Sequence, residues 1–201
     1  HGDFIPRRDP AFDWRRPVDG SNPATEWRGL HAVSEIITLK NPASGWIQNT
    51  NNWPFSAAGP SSPRREDFPA YMWTNPENAR GINAVRVLRD RKDFTPDRLI
   101  AAAYDPTLPA FERLLPALLA AYDALPAADP QRAPLAEPIA ALRAWDLRTG
   151  VSSVPTTLAI LWGQELGSTL IPEARAQGLV VVDHLLNAST AAQKVDALAR
   201  A

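Results

Sequence analysis

The placement of proline and glycine divides this 201-residue chain into two parts with different folding options. In the first 80 residues, turn-forming groups such as Val18–Pro23 alternate with short apolar runs, which favours loops and short strands. From about Asn78 the prolines stand near the starts of segments rich in alanine, leucine and arginine, which predicts helices. We therefore predict a loop- and strand-rich segment over residues 1–77 and a helical segment over residues 78–201.

Apolar spacing and start signals locate the predicted helices. Thr95-Pro96-Asp97 predicts a start with Thr95 as N-cap and an end near Tyr104. Pro116 should kink the helical pattern of residues 108–125 or divide it into two short helices. Residues 179–186 admit a strand or a helix, because their first half is β-branched and their second half is not. Further helices are predicted over residues 78–90, 131–144, 155–170 and 190–199.

A β-hairpin is predicted before the helical segment. Residues 35–40 have a β-branched centre and read as one strand, and residues 46–51 read as a second. Residues 41–45 would form the turn between them. The two-residue period of a strand would then place Asn49 and Asn51 on one face.

Composition excludes several classes of function. The chain has no cysteine, so disulfides and thiolate chemistry are excluded. A net charge of −1 without charged runs argues against nucleic acid as a partner. No apolar run approaches the roughly 20 residues that span a bilayer, so no membrane partner is expected. The three histidines are far apart and lack metal-ligand spacing, and no Gly-x-Ser-x-Gly elbow occurs.

A dense group of amide side chains remains as the candidate site. Residues 40–54 contain four asparagines, one glutamine and two tryptophans. An asparagine N–H directed at a developing negative oxygen can form part of an oxyanion hole, typically worth about 3–4 kcal/mol. The alternative is that Asn49, Asn51 and Asn52 only cap turns, and the residues alone favour that alternative slightly.

The same stretch resembles a motif of the penicillin acylase family. In that motif Asn-Pro, a short turn, Ser-Gly and an aromatic residue lead into Asn-x-Asn, as they do over residues 41–51. Similar surroundings extend over roughly residues 1–170: Asp19–Ser21, Glu26–Gly29, Tyr71–Trp73 before Arg80, and Trp145-Asp146. The resemblance implies an N-terminal nucleophile hydrolase with an α+β fold, in which a few strands of an αββα core precede a mainly helical region.

The resemblance also implies roles for individual residues. Asn51, the second asparagine of Asn-x-Asn, would donate to the oxyanion, and Arg80 would position Asn51 and the substrate. Asn49, Trp46 and Trp53 are predicted to bind substrate. The reaction would be cleavage of an N-acyl amide, as in β-lactam side chains, acyl-homoserine lactones or lipopeptides. Gln48 before the motif is typical of relatives that act on long acyl chains.

The expected nucleophile is absent from the start of the chain. Family members use a serine at the free N-terminus of their large subunit, whereas this chain begins with His1. We therefore expect an internal fragment of the large subunit that is inactive by itself. Its partners would be the remaining segments of the same enzyme and a small N-acyl substrate. No cofactor is expected, although the resemblance allows calcium in the complete enzyme, and it implies a periplasmic or secreted location.

A non-catalytic binding or scaffold module is the second hypothesis. Such a module would hold a partner or a polar ligand on its tryptophan- and asparagine-rich surface. The position of Asn51 distinguishes the two hypotheses within this chain, because a catalytic Asn51 should face a cleft rather than serve only turn hydrogen bonds.

Overall fold

The computed structural model describes residues 5–201, so His1 lies outside the described residues. The chain divides into two compact units. The first unit comprises His1–Glu77 and Ala84–Lys92, and the second comprises Asn78–Asn83 and Asp93–Ala201. The predicted division into a segment over residues 1–77 that contributes to a hydrolase core and a helical segment over residues 78–201 stays a prediction.

Seven α-helices follow one another in the C-terminal part of the described chain. They begin and end as follows: α1 Ala79–Leu88, α2 Pro96–Ala103, α3 Pro109–Asp123, α4 Arg132–Arg143, α5 Val154–Ala176, α6 Val181–Ala188 and α7 Ala191–Arg200. Not one of the helices within residues 5–201 has both the length and the apolar character that crossing a membrane requires.

The core of the second unit forms where α3, α4, α5 and α7 pack together. Each of these helices contributes one of the largest fully buried side chains: Leu118, Leu142, Trp162 and Val195. The Trp162 indole N–H donates to the carbonyl of Lys194 over 2.9 Å, which satisfies its polar atom inside an apolar cluster. Apolar burial of this kind is the main force that stabilises such helix packing.

A buried lysine connects α6 and α7. The Nζ atom of Lys194 donates to the carbonyl of Ser189, directly after the last residue of α6, over 2.6 Å. Burial lowers the pKa of Lys194 below its ordinary value. A cation at the C-terminus of a helix interacts favourably with the helix dipole, which offsets part of this desolvation cost.

Most of the helix predictions are confirmed. Thr95 caps α2 as predicted, because its Oγ1 accepts a hydrogen bond from the backbone N–H of Arg98. The ambiguous segment 179–186 is helical from Val181 onward, and Leu185 of this helix is buried in the core. Burial of an apolar helix face therefore outweighs the strand propensity of the valines.

Of the two outcomes predicted at Pro116, a kink or a division into two short helices, the division is wrong, because α3 is one helix of 15 residues. Pro116 lies on the exposed side of α3, where water can bond the carbonyl that loses its partner. Leu114, Leu115 and Leu118 around it are buried, and their packing holds the helix together.

Over residues 5–77 the first unit consists of single-turn 3₁₀ helices joined by extended segments, and its second stretch, Ala84–Lys92, contains the C-terminal end of α1. These short helices cover Pro23–Thr25, Val33–Glu35, Pro54–Ser56, Gly59–Ser61, Arg65–Asp67 and Ala70–Met72. The Arg7 guanidinium donates to Glu35 and, together with the backbone N–H of Ala32, lowers the pKa of the Glu35 carboxyl to about 2. Side-chain hydrogen bonds of this kind connect segments that lack regular backbone pairing.

The predicted α+β fold with strands of an αββα core is wrong, because the described chain is mainly helical. Within residues 5–201 the extended pairing is limited to two isolated bridges, Pro6–Leu30 and Thr107–Arg148. The predicted hairpin is absent there as well: residues 33–35 form a 3₁₀ turn, and the Gln48 N–H donates to the carbonyl of Ala57.

The predicted hairpin is absent for a local physical reason. Asn51, at the end of the second predicted strand, has φ of 60°, so the backbone is left-handed there and cannot continue a strand. Asparagine side chains that bond the nearby backbone compete with strand pairing, and residues 49–52 do this.

The N-cap of α7 gives a testable prediction for the helical unit. Thr190 Oγ1 accepts from the Gln193 N–H over 3.1 Å, and Gln193 Oε1 accepts from the Thr190 N–H over 2.8 Å. Thr190→Ala should lower the free energy of unfolding in urea by about 1 kcal/mol. Thr190→Ser keeps the hydroxyl and serves as the control. Equal stability of the alanine variant and the native chain would contradict the role of this cap.

Candidate functional site

Residues 49–52 form a turn that is held by its own side chains, and we call it the amide turn. Asn49 Oδ1 accepts from the backbone N–H of Asn51 over 2.8 Å. Asn52 Oδ1 accepts from the backbone N–H and from the hydroxyl of Thr50, over 3.2 and 3.1 Å. These bonds hold Asn51 at a φ of 60°, a conformation that asparagine tolerates better than most residues.

The carboxylate of Glu77 anchors the amide turn to the chain that follows it. Its Oε1 accepts from Asn52 Nδ2 over 2.7 Å, and its Oε2 accepts from Trp53 Nε1 over 3.0 Å. Asn52 Nδ2 also donates to Ser56 Oγ over 3.1 Å. The Asn52 amide thus makes two hydrogen bonds as donor and two as acceptor, so it is fully occupied as a structural group.

A cleft of about 330 Å³ lies beside the amide turn in the first unit. All the residues that line it are uncharged: Ile37, Leu39, Ile47, Gln48, Asn49, Asn52, Trp53, Pro54, Ala57, Pro63, Met72, Trp73, Thr74 and Asn75. A volume of this size, with apolar walls and a few amides, is typical of a site for a small organic molecule.

Aromatic rings packed edge to face form one side of the cleft. The ring centroids of Trp53 and Trp73 are 6.3 Å apart, and Phe55 lies 6.0 Å from Trp53 and 5.5 Å from Trp73. The Arg65 guanidinium carbon lies 4.6 Å from the centroid of the Trp73 ring, which is within the range of a cation–π contact. These contacts fix the orientation of both indoles.

The structure brings some of the predicted site residues together. Asn49 and Trp53 line the cleft. Asn51 is not part of the lining but is exposed on the amide turn, between the lining residues Asn49 and Asn52. Because the same turn holds Asn51 by hydrogen bonds, its position does not decide between the two hypotheses about its role.

Trp46 and Arg80 are not among the residues that line the cleft. Trp46 is half-buried against Gly59, where a Cβ atom would come within 3.2 Å of the indole ring. Gly59 also has φ of 56°, so a side chain at this position would be both crowded by Trp46 and strained in its backbone. Arg80 is an exposed residue of α1 and belongs to the second unit. The predicted roles of all five site residues stay predictions.

Sequence reasoning did not identify Glu77 and Arg65 as parts of this site. Glu77 is 25 residues from Asn52 and 24 from Trp53, and no local pattern connects an acid to amides at that distance. The aromatic stretch Tyr71–Trp73 was a usable signal for Trp73, because an aromatic residue close to a tryptophan-rich motif commonly joins the same cluster.

The site has no evident place for a metal ion. Over residues 5–201, no group of three or more His, Asp or Glu side chains is arranged to hold one.

The sequence profile of the penicillin amidase family matches residues 1–200. With nearly the whole chain covered, the protein belongs to the penicillin amidase family. The family resemblance seen in the sequence is thus confirmed. Membership assigns the chain to the amidohydrolases of acylase type.

The anchoring by Glu77 gives a prediction for this site. Glu77→Ala removes the acceptor of two hydrogen bonds and leaves the Asn52 and Trp53 donors without it, so the free energy of unfolding should fall by about 2 kcal/mol. The variant should also change the fluorescence of Trp53. Chemical unfolding monitored by tryptophan fluorescence measures both effects.

Glu66→Ala is the matched control, because Glu66 is an exposed acid whose nearest cation, Arg64, is 3.9 Å away. This change should alter stability by no more than about 0.5 kcal/mol. Similar losses in the two variants would show that Glu77 does not anchor the site.

Proposed function

We propose that the amide turn and the adjacent cleft position an N-acyl amide for hydrolysis by an enzyme to which this chain contributes. The carrying observation is the exposed Asn51, whose backbone is fixed by the amide turn, beside a neutral cleft with apolar and aromatic walls. A donor that is held in place before the reaction stabilises developing charge without reorganisation. Membership of an acylase family supports the assignment of this surface to amide hydrolysis.

The proposed reaction has two acyl-transfer steps. A serine hydroxyl, supplied by another segment of the same enzyme, attacks the amide carbonyl carbon and loses its proton to a base. Asn51 Nδ2 donates a hydrogen bond to the oxyanion of the tetrahedral intermediate. The C–N bond then breaks and the protonated amine leaves. Water attacks the acyl-enzyme, and the carboxylic acid leaves as the serine regains its proton.

The residues of this chain have distinct parts in the proposal. Asn49 and Trp53 contact the substrate from the cleft, and Trp46 supports the loop from its packed position against Gly59. Arg80 is proposed as a positioning residue on the basis of the family resemblance alone. Because the proposed nucleophile belongs to another segment of the enzyme, we expect this chain to be inactive without that segment.

The apolar residues that line the cleft indicate what kind of acyl group the substrate carries. Ile37, Leu39, Ile47 and Met72 provide an apolar surface that suits an acyl chain better than a charged group. Substrates of the acyl-homoserine lactone or lipopeptide type fit this surface, and so does an apolar side chain on a β-lactam. Periplasmic or secreted location is part of the same proposal, through the family resemblance.

Replacement of Asn51 tests the proposal. Asn51→Gly removes the amide and tolerates the left-handed backbone, so it separates chemistry from strain. In the complete enzyme this variant should lower kcat by about two to three orders of magnitude and change KM little. Steady-state hydrolysis of an N-acyl amide with chromogenic amine release provides the measurement.

Asn41→Gly is the matched control, because Asn41 is also exposed and has φ of 48° but lies outside the cleft lining. It should leave kcat unchanged. Undiminished turnover of a correctly folded Asn51→Gly enzyme would remove Asn51 from the reaction and would favour the binding module as the function of this surface.

A further inference from the structure

Three side chains of the first unit, none of which lines the cleft, form a row of carboxylate, imidazole and phenol. Tyr71 Oη lies 2.8 Å from His31 Nε2, and Glu35 Oε2 lies 3.4 Å from His31 Nδ1. The His31 side chain is 9% exposed, whereas Tyr71 is half-buried and keeps part of its surface in solvent. Enzymes that use a side-chain nucleophile have the same order of nucleophile, base and a group that orients the base.

The carboxylate decides which nitrogen of His31 accepts a hydrogen bond. An ionised carboxylate only accepts, so the hydrogen of the neutral imidazole belongs on Nδ1, which faces Glu35. Nε2 then carries a lone pair, and the Tyr71 hydroxyl donates to it. Nδ1 makes no hydrogen bond at its present distance from Glu35. This contact should shorten once the imidazole is charged, because charge-assisted hydrogen bonds are shorter and stronger.

Glu35 is itself held in place and ionised. Arg7 Nη2 donates to Glu35 Oε2 over 2.5 Å, and the backbone N–H of Ala32 donates to the same oxygen over 2.9 Å. These bonds lower the pKa of Glu35 to about 2, so the carboxylate is charged at neutral pH. A fixed negative charge beside Nδ1 stabilises the imidazolium that forms when His31 takes a proton.

Arg8 places a positive charge beside the phenol. Its guanidinium carbon lies 5.9 Å from the centroid of the Tyr71 ring and 5.2 Å from that of the Trp14 ring. A cation at this distance attracts the negative charge that develops on the phenol oxygen as its proton leaves. Tyr71 therefore has both a base for its proton and a cation near its developing charge.

The two other tyrosines of the chain differ from Tyr71 and serve as internal references. Tyr104 is 81% exposed. Tyr122 is 7% exposed and donates its hydroxyl to the carbonyl of Arg132 over 2.8 Å, and a backbone carbonyl does not take up a proton at neutral pH. Of the two described histidines, His31 is bonded to Tyr71, and His184 lies beside Glu173.

We propose that Tyr71 is a reactive tyrosine that accepts an acyl group from an activated ester, with His31 as its base. The Tyr71 oxygen attacks the ester carbonyl carbon while its proton passes to His31 Nε2. The bond from that carbon to the leaving oxygen then breaks, and the leaving oxygen takes the proton from His31. O-acyl-Tyr71 and a free alcohol or phenol are the products. Glu35 acts as a positioning residue through His31. This reaction goes beyond the proposed amide hydrolysis and uses neither Asn51 nor the cleft.

The experiment measures acylation of the three tyrosines in one sample. The complete enzyme is treated briefly with 4-nitrophenyl acetate near neutral pH and digested with trypsin, and acetylated peptides are quantified by mass spectrometry. Cleavage after arginine places the tyrosines on separate peptides, residues 66–80, 99–113 and 114–132, which contain one tyrosine each. Comparison of these peptides within a sample removes the effect of reagent that other nucleophiles consume.

Tyr71 should be acetylated at least about tenfold faster than Tyr104, although Tyr104 is the more exposed. His31→Gln keeps an acceptor for the Tyr71 hydroxyl but removes the base, so acetylation of Tyr71 should fall about tenfold while that of Tyr104 stays unchanged. Glu35→Gln removes the charge that stabilises the imidazolium and should slow Tyr71 about threefold. Tyr71→Phe is the control, because it should abolish acetylation of the peptide of residues 66–80.

Acetylation of Tyr71 at or below the rate of Tyr104 in the native enzyme would overturn the inference and leave the bond to His31 with a structural role alone. A folded His31→Gln variant that keeps the native ratio of the two rates would overturn it as well. If circular dichroism shows that His31→Gln does not fold, the native ratio and the Glu35→Gln variant decide.

Discussion

The candidate site depends on the carboxylate of Glu77, which bonds Asn52 with one oxygen and the Trp53 indole with the other. The bond to Asn52 fixes the amide turn, because the Oδ1 atom of the same side chain accepts hydrogen bonds from Thr50. The second fixes one wall of the cleft, because Trp53 packs edge to face with Trp73. A single side chain thus fixes both the amide turn and one wall of the cleft, in a unit that has little regular secondary structure.

The hydrogen bonds of the site divide the amides into distinct roles. Asn52 has all of its bonding capacity occupied, and Asn49 uses its oxygen to hold the backbone of Asn51. Gln48 keeps an unpartnered oxygen beneath the cleft. A sequence rich in amides therefore provides mainly structural anchoring here, and the uncharged lining of the cleft disfavours charged ligands.

The helices could be predicted from the sequence because their signals are local. The Thr95-Pro96 start and the apolar spacing of α3 lie within the elements that they specify. The hairpin prediction failed because strand propensity at Trp46–Asn51 competes with side-chain bonds to the backbone, which only the folded chain shows. Asn49 and Trp53, which line the cleft, stand within the motif that the sequence offers. Glu77 has no such local signal, because it is 25 residues from Asn52 and 24 from Trp53.

The most direct test of this account is a crystal structure of the complete enzyme with a phosphonate analogue of the tetrahedral intermediate. The account predicts a phosphoryl oxygen within about 2.7–3.1 Å of Asn51 Nδ2, with the apolar part of the analogue between Ile47 and Trp53. The bonds from Glu77 to Asn52 and Trp53 should persist in that complex. An analogue bound away from the amide turn, with Asn51 out of reach of its oxygens, would contradict the account.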